Sequence, residues 1–252
     1  MTKPLILTPN KNVQCGMFQL AKGLATEMNG EVWFKGQKIP LNKLCEFKQV
    51  VTFMYPMHKH GKRLKDIFGW KWIVYNQGIP PVTKTYFPNF FRRQAMRYIN
   101  WRNNITMQGA DEYWDVTERE QKPRWTDKSH TKVIKGKEYA LYIGRRTDYK
   151  NFDCLQKIMQ ELRIPFRFSD NWSDELTHQY LSNAKMLATA SIWEGYGRTP
   201  QEAEALGIPA VAYDVGAHKR HINKGICVPL DINNMKKSEE AFKKAVLEVW
   251  NR

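Results

Sequence analysis

Short apolar runs of β-forming residues alternate with helix-like segments along most of the 252 residues, and nothing else in the sequence constrains the fold as tightly. "PLILT" (Pro4–Thr8) reads as a buried strand and "GMFQLAKGLATEM" (Gly16–Met28) as a helix opening on a glycine. "QVVTFMY" (Gln49–Tyr55), "WKWIVYN" (Trp70–Asn76) and the weaker "NITMQG" (Asn104–Gly109) continue the strand series. Strands separated by helices are the mark of an α/β fold with mostly parallel sheets. The pattern lapses over residues 118–137, where "EREQKPRWTDKSHTKVIKGK" is polar, carries a Pro and a Gly, and reads as a linker. It resumes with "YALYIG" (Tyr139–Gly144), a helix near Cys154–Leu162, "PFRFS" (Pro165–Ser169) and a helix around Glu175–Ala184. "KMLATAS" (Lys185–Ser191) and "PAVAYD" (Pro209–Asp214) are further strands. The chain closes on "SEEAFKKAVLEVWNR", an amphipathic helix with Ser238 as its expected N-cap. The expectation is two α/β domains, residues 1–128 and 138–252, with the last helix able to pack back on the first. A ligand is expected at the carboxyl ends of the strands.

Bulk properties narrow the class. Four cysteines (Cys15, Cys45, Cys154, Cys227) are scattered, which suits a reducing compartment and argues against a disulfide framework or a zinc site. The expected location is the cytoplasm. No stretch approaches the roughly 20 apolar residues that span a bilayer. The net charge of +15 is unevenly placed. Residues 1–137 hold 24 Lys and Arg against 10 Asp and Glu, so nearly all of the excess lies in the first half. Such a half either carries a solvated basic surface or faces a polyanion, nucleic acid or an anionic membrane.

The densest chemistry lies in "SIWEGYGRTPQEAEALGIPAVAYD" (Ser191–Asp214). Glu194 follows a strand. Gly195 and Gly197 let the backbone turn sharply and approach a ligand. Pro200 fits the first turn of a helix, whose free N–H groups suit a phosphate. Glu202 lies one turn in and can accept hydrogen bonds from hydroxyls. The order suits a ligand with hydroxyls, then phosphates, then more hydroxyls, as in a nucleotide-sugar. "YIGRRTDYKNFD" adds Arg145 and Lys150 just after another strand, two cations able to neutralise a diphosphate. Taken alone, they read rather as exposed turn cations.

Together, "GRRTDYKNFD" and "SDELTHQYLSNAKMLATASIWEGYGRTPQEAEALGIPAVAYDVGAHKRHI" resemble the donor-binding half of retaining glycosyltransferases of family four, over roughly Tyr139 to Leu230. The resemblance implies the GT-B fold, with two Rossmann-like domains facing a central cleft. It implies a retaining hexosyltransferase that needs no metal and no cofactor beyond the nucleotide-sugar co-substrate, most commonly a uridine diphosphate sugar such as UDP-glucose. Arg145 and Lys150 would then stabilise the leaving diphosphate, and Glu194 would touch sugar hydroxyls. Tyr196 and Gly197 would present backbone amides, and Glu202 would hold the ribose. Arg198 stands where the family usually has an apolar residue and is a further donor candidate. Gly16 is the one glycine of a loop, "QCGMF", where the family often has two. Asn76 and Gln77 occupy the place of a common family histidine, while His58 and His60 follow the preceding strand.

In this fold the first domain usually carries the acceptor. "HKHGKRLK" (His58–Lys65) and "FFRRQAMRYINWRNN" (Phe90–Asn104) are its basic stretches. The acceptor candidates are His58, Lys59, Lys62, Arg63, Arg92, Arg93 and Arg97. Arg interleaved with aromatics suits phosphate contact with base stacking, a membrane-surface helix, or an ordinary amphipathic helix. Three readings follow: transfer to a hydroxymethylated base in DNA, as in phage-type DNA glycosylation in a host cytoplasm; a peripheral-membrane transferase of lipopolysaccharide or glycolipid; and a non-catalytic polyanion-binding protein. DNA is the leading one.

Overall fold

In the computed structural model, the described residues are 3–9, 16–76, 94, 96–98, 100, 104–105, 107–115, 123–128, 138–169 and 172–252. They divide into two compact units, one before and one after residue 123. Pro123–Lys128 belong with the second.

The first unit runs β1 (Pro4–Thr8), α1 (Gly16–Met28), β2 (Glu31–Phe34), α2 (Leu41–Leu44), β3 (Gln49–Phe53), α3 (Met54–Phe68), β4 (Lys71–Asn76) and β5 (Glu112–Asp115). Its strands form one parallel sheet in the order β2-β1-β3-β4-β5. β1 is buried at all five positions, as a strand covered on both faces should be. Leu5, Leu7, Trp33, Val50, Trp72 and Val74 from the sheet pack with Met57 of α3.

The second unit runs β6 (Ala140–Ile143), a 3-10 turn (Asp148–Lys150), α4 (Phe152–Glu161), β7 (Phe166–Ser169), α5 (Asp174–Ser182) and β8 (Met186–Thr189). It continues with α6 (Arg198–Ala205), β9 (Ala210–Tyr213), α7 (His218–His221), β10 (Ile226–Val228) and α8 (Met235–Trp250). The sheet is again parallel, in the order β10-β9-β8-β6-β7. Alternation along β6 sends Tyr142 to a core with Phe152, Phe242 and Val246, and Leu141 to one with Leu181, Ala203 and Leu206. Both sheets share one doubly wound order, in which the chain leaves β6 first for β7 and later, on the other side, for β8. The crevice between β6 and β8 is the switch point where such sheets hold ligands.

Three sequence expectations need correction. Residues 104–109 are not a strand: Asn104, Ile105 and Met107 are helical, Gly109 ends the turn at φ 84°, and the strand is β5. The strand after Gln49 stops at Phe53, and Met54–Phe68 is helix, so His58 and His60 lie on α3 rather than in a loop. Pro56, in the first turn, has no N–H to lose there. The last helix starts at Met235 with Asn234 as cap, its side chain accepting from Lys237 N. Ser238 is buried and pairs with the Asp231 backbone. The short β2 and β10 were not legible as strands. Among the described residues, no helix is long and apolar enough to cross a membrane.

Candidate functional site

The loops after β6 and β8 are tied together at the switch point. Ile192 N donates to Tyr149 O at 2.8 Å, and the Tyr149 and Trp193 rings meet edge-on at 5.6 Å. This brings Lys150 Nζ to 2.5 Å from Glu194 Oε1. Burial pushes the Glu194 carboxyl up, but Lys150, with His218 and a Ser191 hydrogen bond, together hold the group below its ordinary value. The two neighbouring arginines differ. Both are exposed, but Arg146 lies over the Phe152 and Phe168 rings at 4.7 and 4.3 Å, whereas the Arg145 carbonyl accepts from the Tyr142 hydroxyl at 2.9 Å.

The turn after Glu194 is fixed by sterics. Gly197 has φ 83°, and a Cβ there would fall 2.1 Å from His218 Nε2. His218 is fully buried and its Nδ1 lies 2.8 Å from the Tyr213 carbonyl, so Nδ1 carries the proton. Burial lowers its pKa despite the nearby Glu194 carboxylate. Tyr196 is buried, its hydroxyl 2.8 Å from His221 Nε2 and its carbonyl accepting from Ala217 N.

Gly197 precedes α6, which carries Glu202 one turn in. Glu202 is completely buried and is gripped by Arg124, whose Nε and Nη2 donate to its two oxygens at 2.7 and 2.8 Å. Arg124 Nη1 donates to Asp174 Oδ1 at 2.6 Å. Burial opposes the Arg124 charge, and the two carboxylates outweigh it, leaving its pKa above the ordinary value. Arg198 adds a weaker approach to Glu202 at 3.6 Å, and burial lowers its own pKa. The Arg124 guanidinium lies over Trp125 at 4.1 Å, and Trp125 stacks on His178 at 5.0 Å. Sequence reasoning missed Arg124 because it lies in the stretch read as linker; an Arg-Trp pair in otherwise polar sequence was the only signal.

A family match falls on this half. Residues 165–249 match the family model for glycosyl transferases group 1. "Putative glycosyltransferase ORF378" of Acidianus filamentous virus 2 is 29% identical over 127 residues, 42% of this chain and 32% of that protein. The chain therefore spans about a third of the length of that relative. The lipopolysaccharide-biosynthesis glycosyltransferase WaaG superposes with TM-score 0.58 at 12% identity, over 99% of this chain and 90% of that one. Sucrose-phosphate synthase from Thermosynechococcus elongatus gives 0.57 at 12%, over 98% and 95%. Anabaena HepE, solved with UDP and glucose, gives 0.54 at 11%, over 100% and 95%. With the two parallel sheets, these likenesses show the GT-B fold.

In the second unit Arg145 and Lys150 follow β6, and Glu194, Tyr196, Gly197, Arg198 and Glu202 follow β8, with Lys150 paired to Glu194 and Arg198 near Glu202. Glu204, two residues beyond Glu202, points elsewhere, as helix positions two apart do. Its carboxylate accepts from the backbone N–H groups of Ala210, Asn223, Lys224 and Gly225, a purely structural use.

In the first unit Gly16 opens α1. Lys59, Lys62 and Arg63 are exposed on α3, and Arg97 is exposed. His58 is only 1% exposed, with Nδ1 2.9 Å from Thr52 Oγ1, which also accepts from Trp72 Nε1. As placed, its ring serves the core beneath α3 and is not presented to an acceptor. Arg92 and Arg93, and the side chain of Asn76 and all of Gln77, lie outside the described residues.

Proposed function

We propose that this chain is a retaining glycosyltransferase that moves a hexose from a nucleotide-sugar, a uridine diphosphate sugar, to a polyanionic acceptor. The observation that carries this is the Lys150–Glu194 pair, formed between the loops after β6 and β8, with the buried Glu202 on the helix that follows. The match of residues 165–249 and the viral relative support it.

In this reading Glu194, kept ionised by Lys150, accepts from sugar hydroxyls. Lys150 and the exposed Arg145 face the diphosphate, and their charges stabilise it as it leaves, the part a divalent cation plays in other transferases. The bond from the anomeric carbon to the phosphate oxygen breaks. A bond to the acceptor oxygen forms on the same face, and the acceptor proton passes to the departing phosphate. Glu202 takes the ribose hydroxyls. Because Arg124 occupies both Glu202 oxygens in the structure, a nucleoside must replace the guanidinium to bind there.

For the acceptor we propose a hydroxymethylated base in DNA. The charge of the first half and the exposed Lys59, Lys62, Arg63 and Arg97 favour a polyphosphate. A glycolipid acceptor is the second reading, favoured by Ile67 and Phe68, 61% and 46% exposed at the end of the same basic helix. The test offers labelled UDP-glucose with hydroxymethylated DNA or a lipid extract. Label in DNA supports the first reading, and label only in lipid replaces it with the second. Lys150→Ala and Glu202→Ala should each reduce transfer by about a hundredfold or more. Unchanged turnover in both would remove the site assignment.

A further inference from the structure

The first unit contains an apolar cleft beneath the basic face of α3, and it shares Arg63 and Ile67 with the acceptor readings above. Along α3, Met57, His60, Leu64 and Ile67 recur at intervals of three and four, which places them on one face. Opposite them stand Trp33 of β2 and Ile39, and between the two walls is a cavity of about 230 Å³. Its floor is apolar, and Ile67 is 61% exposed at one end.

The rim has the opposite character. Lys35, His60 and Arg63 all line the cleft and all are exposed, and no Asp or Glu is among the lining residues. Among the described residues none of the three forms an ion pair. Lys35 is set in place by the turn after β2: its N–H donates to Thr8 O at 3.2 Å, Gln37 N closes on Phe34 O at 3.0 Å, and Gly36 turns at φ 90°. An apolar trough edged by the Lys35 and Arg63 charges is complementary to a ligand with an alkyl chain and an anionic head, and to neither part alone.

We infer that this cleft binds an alkyl phosphate of the lipid class, the chain lying along Trp33, Met57, Leu64 and Ile67 and the phosphate between Lys35 and Arg63. The inference does not rest on the sugar-transfer reading, since a protein with no transferase activity would bind the same ligand.

Calorimetry on the full chain with monomeric octyl phosphate tests it, with octyl glucoside and inorganic phosphate as the two half-ligands. Octyl phosphate should saturate at one per chain, and each half-ligand should bind at least about tenfold more weakly. Arg63→Ala and the exposed Ile67→Asp should each weaken octyl phosphate by about tenfold while thermal melting stays unchanged. Lys35→Ala is the second test of the rim should Arg63→Ala melt early. Equal binding of octyl glucoside, no saturable binding, or full binding by the rim and floor variants would each overturn the inference.

Discussion

At Gly197 the chain turns through φ 83°, and the atom a side chain would displace is His218 Nε2, held from behind by the Tyr213 carbonyl. Gly197→Ala should therefore lower stability by about 2–4 kcal/mol, combining left-handed strain with overpacking. Gly207 has a similar φ of 78°, but its Cβ would meet only the flexible end of Lys224 at 3.4 Å. Gly207→Ala should lose about 1 kcal/mol. Urea denaturation compares the two, and equal losses would show that His218 yields. His218 also sets a pH dependence. Its folded pKa is lowered, so the unfolded chain takes up the proton first. Its contribution is complete above the unfolded value of about 6.5 and declines as the pH falls from there through the folded value. Glu194, also lowered, adds a loss in the same direction that begins below about 4.3. Denaturation midpoints of the wild type should fall between pH 7 and 5, and His218→Gln should flatten that range while keeping the more acid loss. Parallel curves for the two proteins would exclude this role. The glutamates of this stretch were legible in sequence as chemistry; which of them is structural was not, since only the fold shows four backbone amides converging on Glu204.

On the scale of elements, the segment Pro123–Lys128 is the least expected part of the site. Polar composition made it read as a linker, yet Arg124 is anchored by Glu202 and Asp174, with Trp125 stacked on His178. A nucleoside that needs Glu202 must compete with this grip, so part of its intrinsic affinity is spent on releasing it. Arg124→Ala should bind UDP roughly threefold or more tightly than the wild type, by calorimetry. It should also be less stable, because a buried carboxylate loses its partner. Weaker UDP binding by a folded variant would mean that Arg124 supports the nucleotide instead of competing with it. The regular elements were more legible. β6, β8 and β9 are continuous apolar runs bounded by breakers, and α8 has a clear amphipathic period. Errors came where a strand pattern ran into a helix, as at Met54, and where a good capping residue, Ser238, lay inside a helix that starts earlier.

For the molecule as a whole, alternation of short strands and helices was enough to anticipate two α/β units. Strand order was not, because it depends on which side of the sheet each crossover takes, and no local pattern records that choice. Edge strands were the hardest to see: β2, β5 and β10 have only 4, 4 and 3 residues and are poor in continuous apolar sequence. The uneven charge was legible from the sequence, but what that half faces was not. The Glu204 carboxylate bears on a different matter. β10 is the outer strand of its sheet, and the turn leading into it is pinned to the start of β9 by that one side chain. A rim so short and so firmly tethered offers another chain little template for edge-to-edge pairing, so this border of the sheet is protected against aggregation by its own brevity.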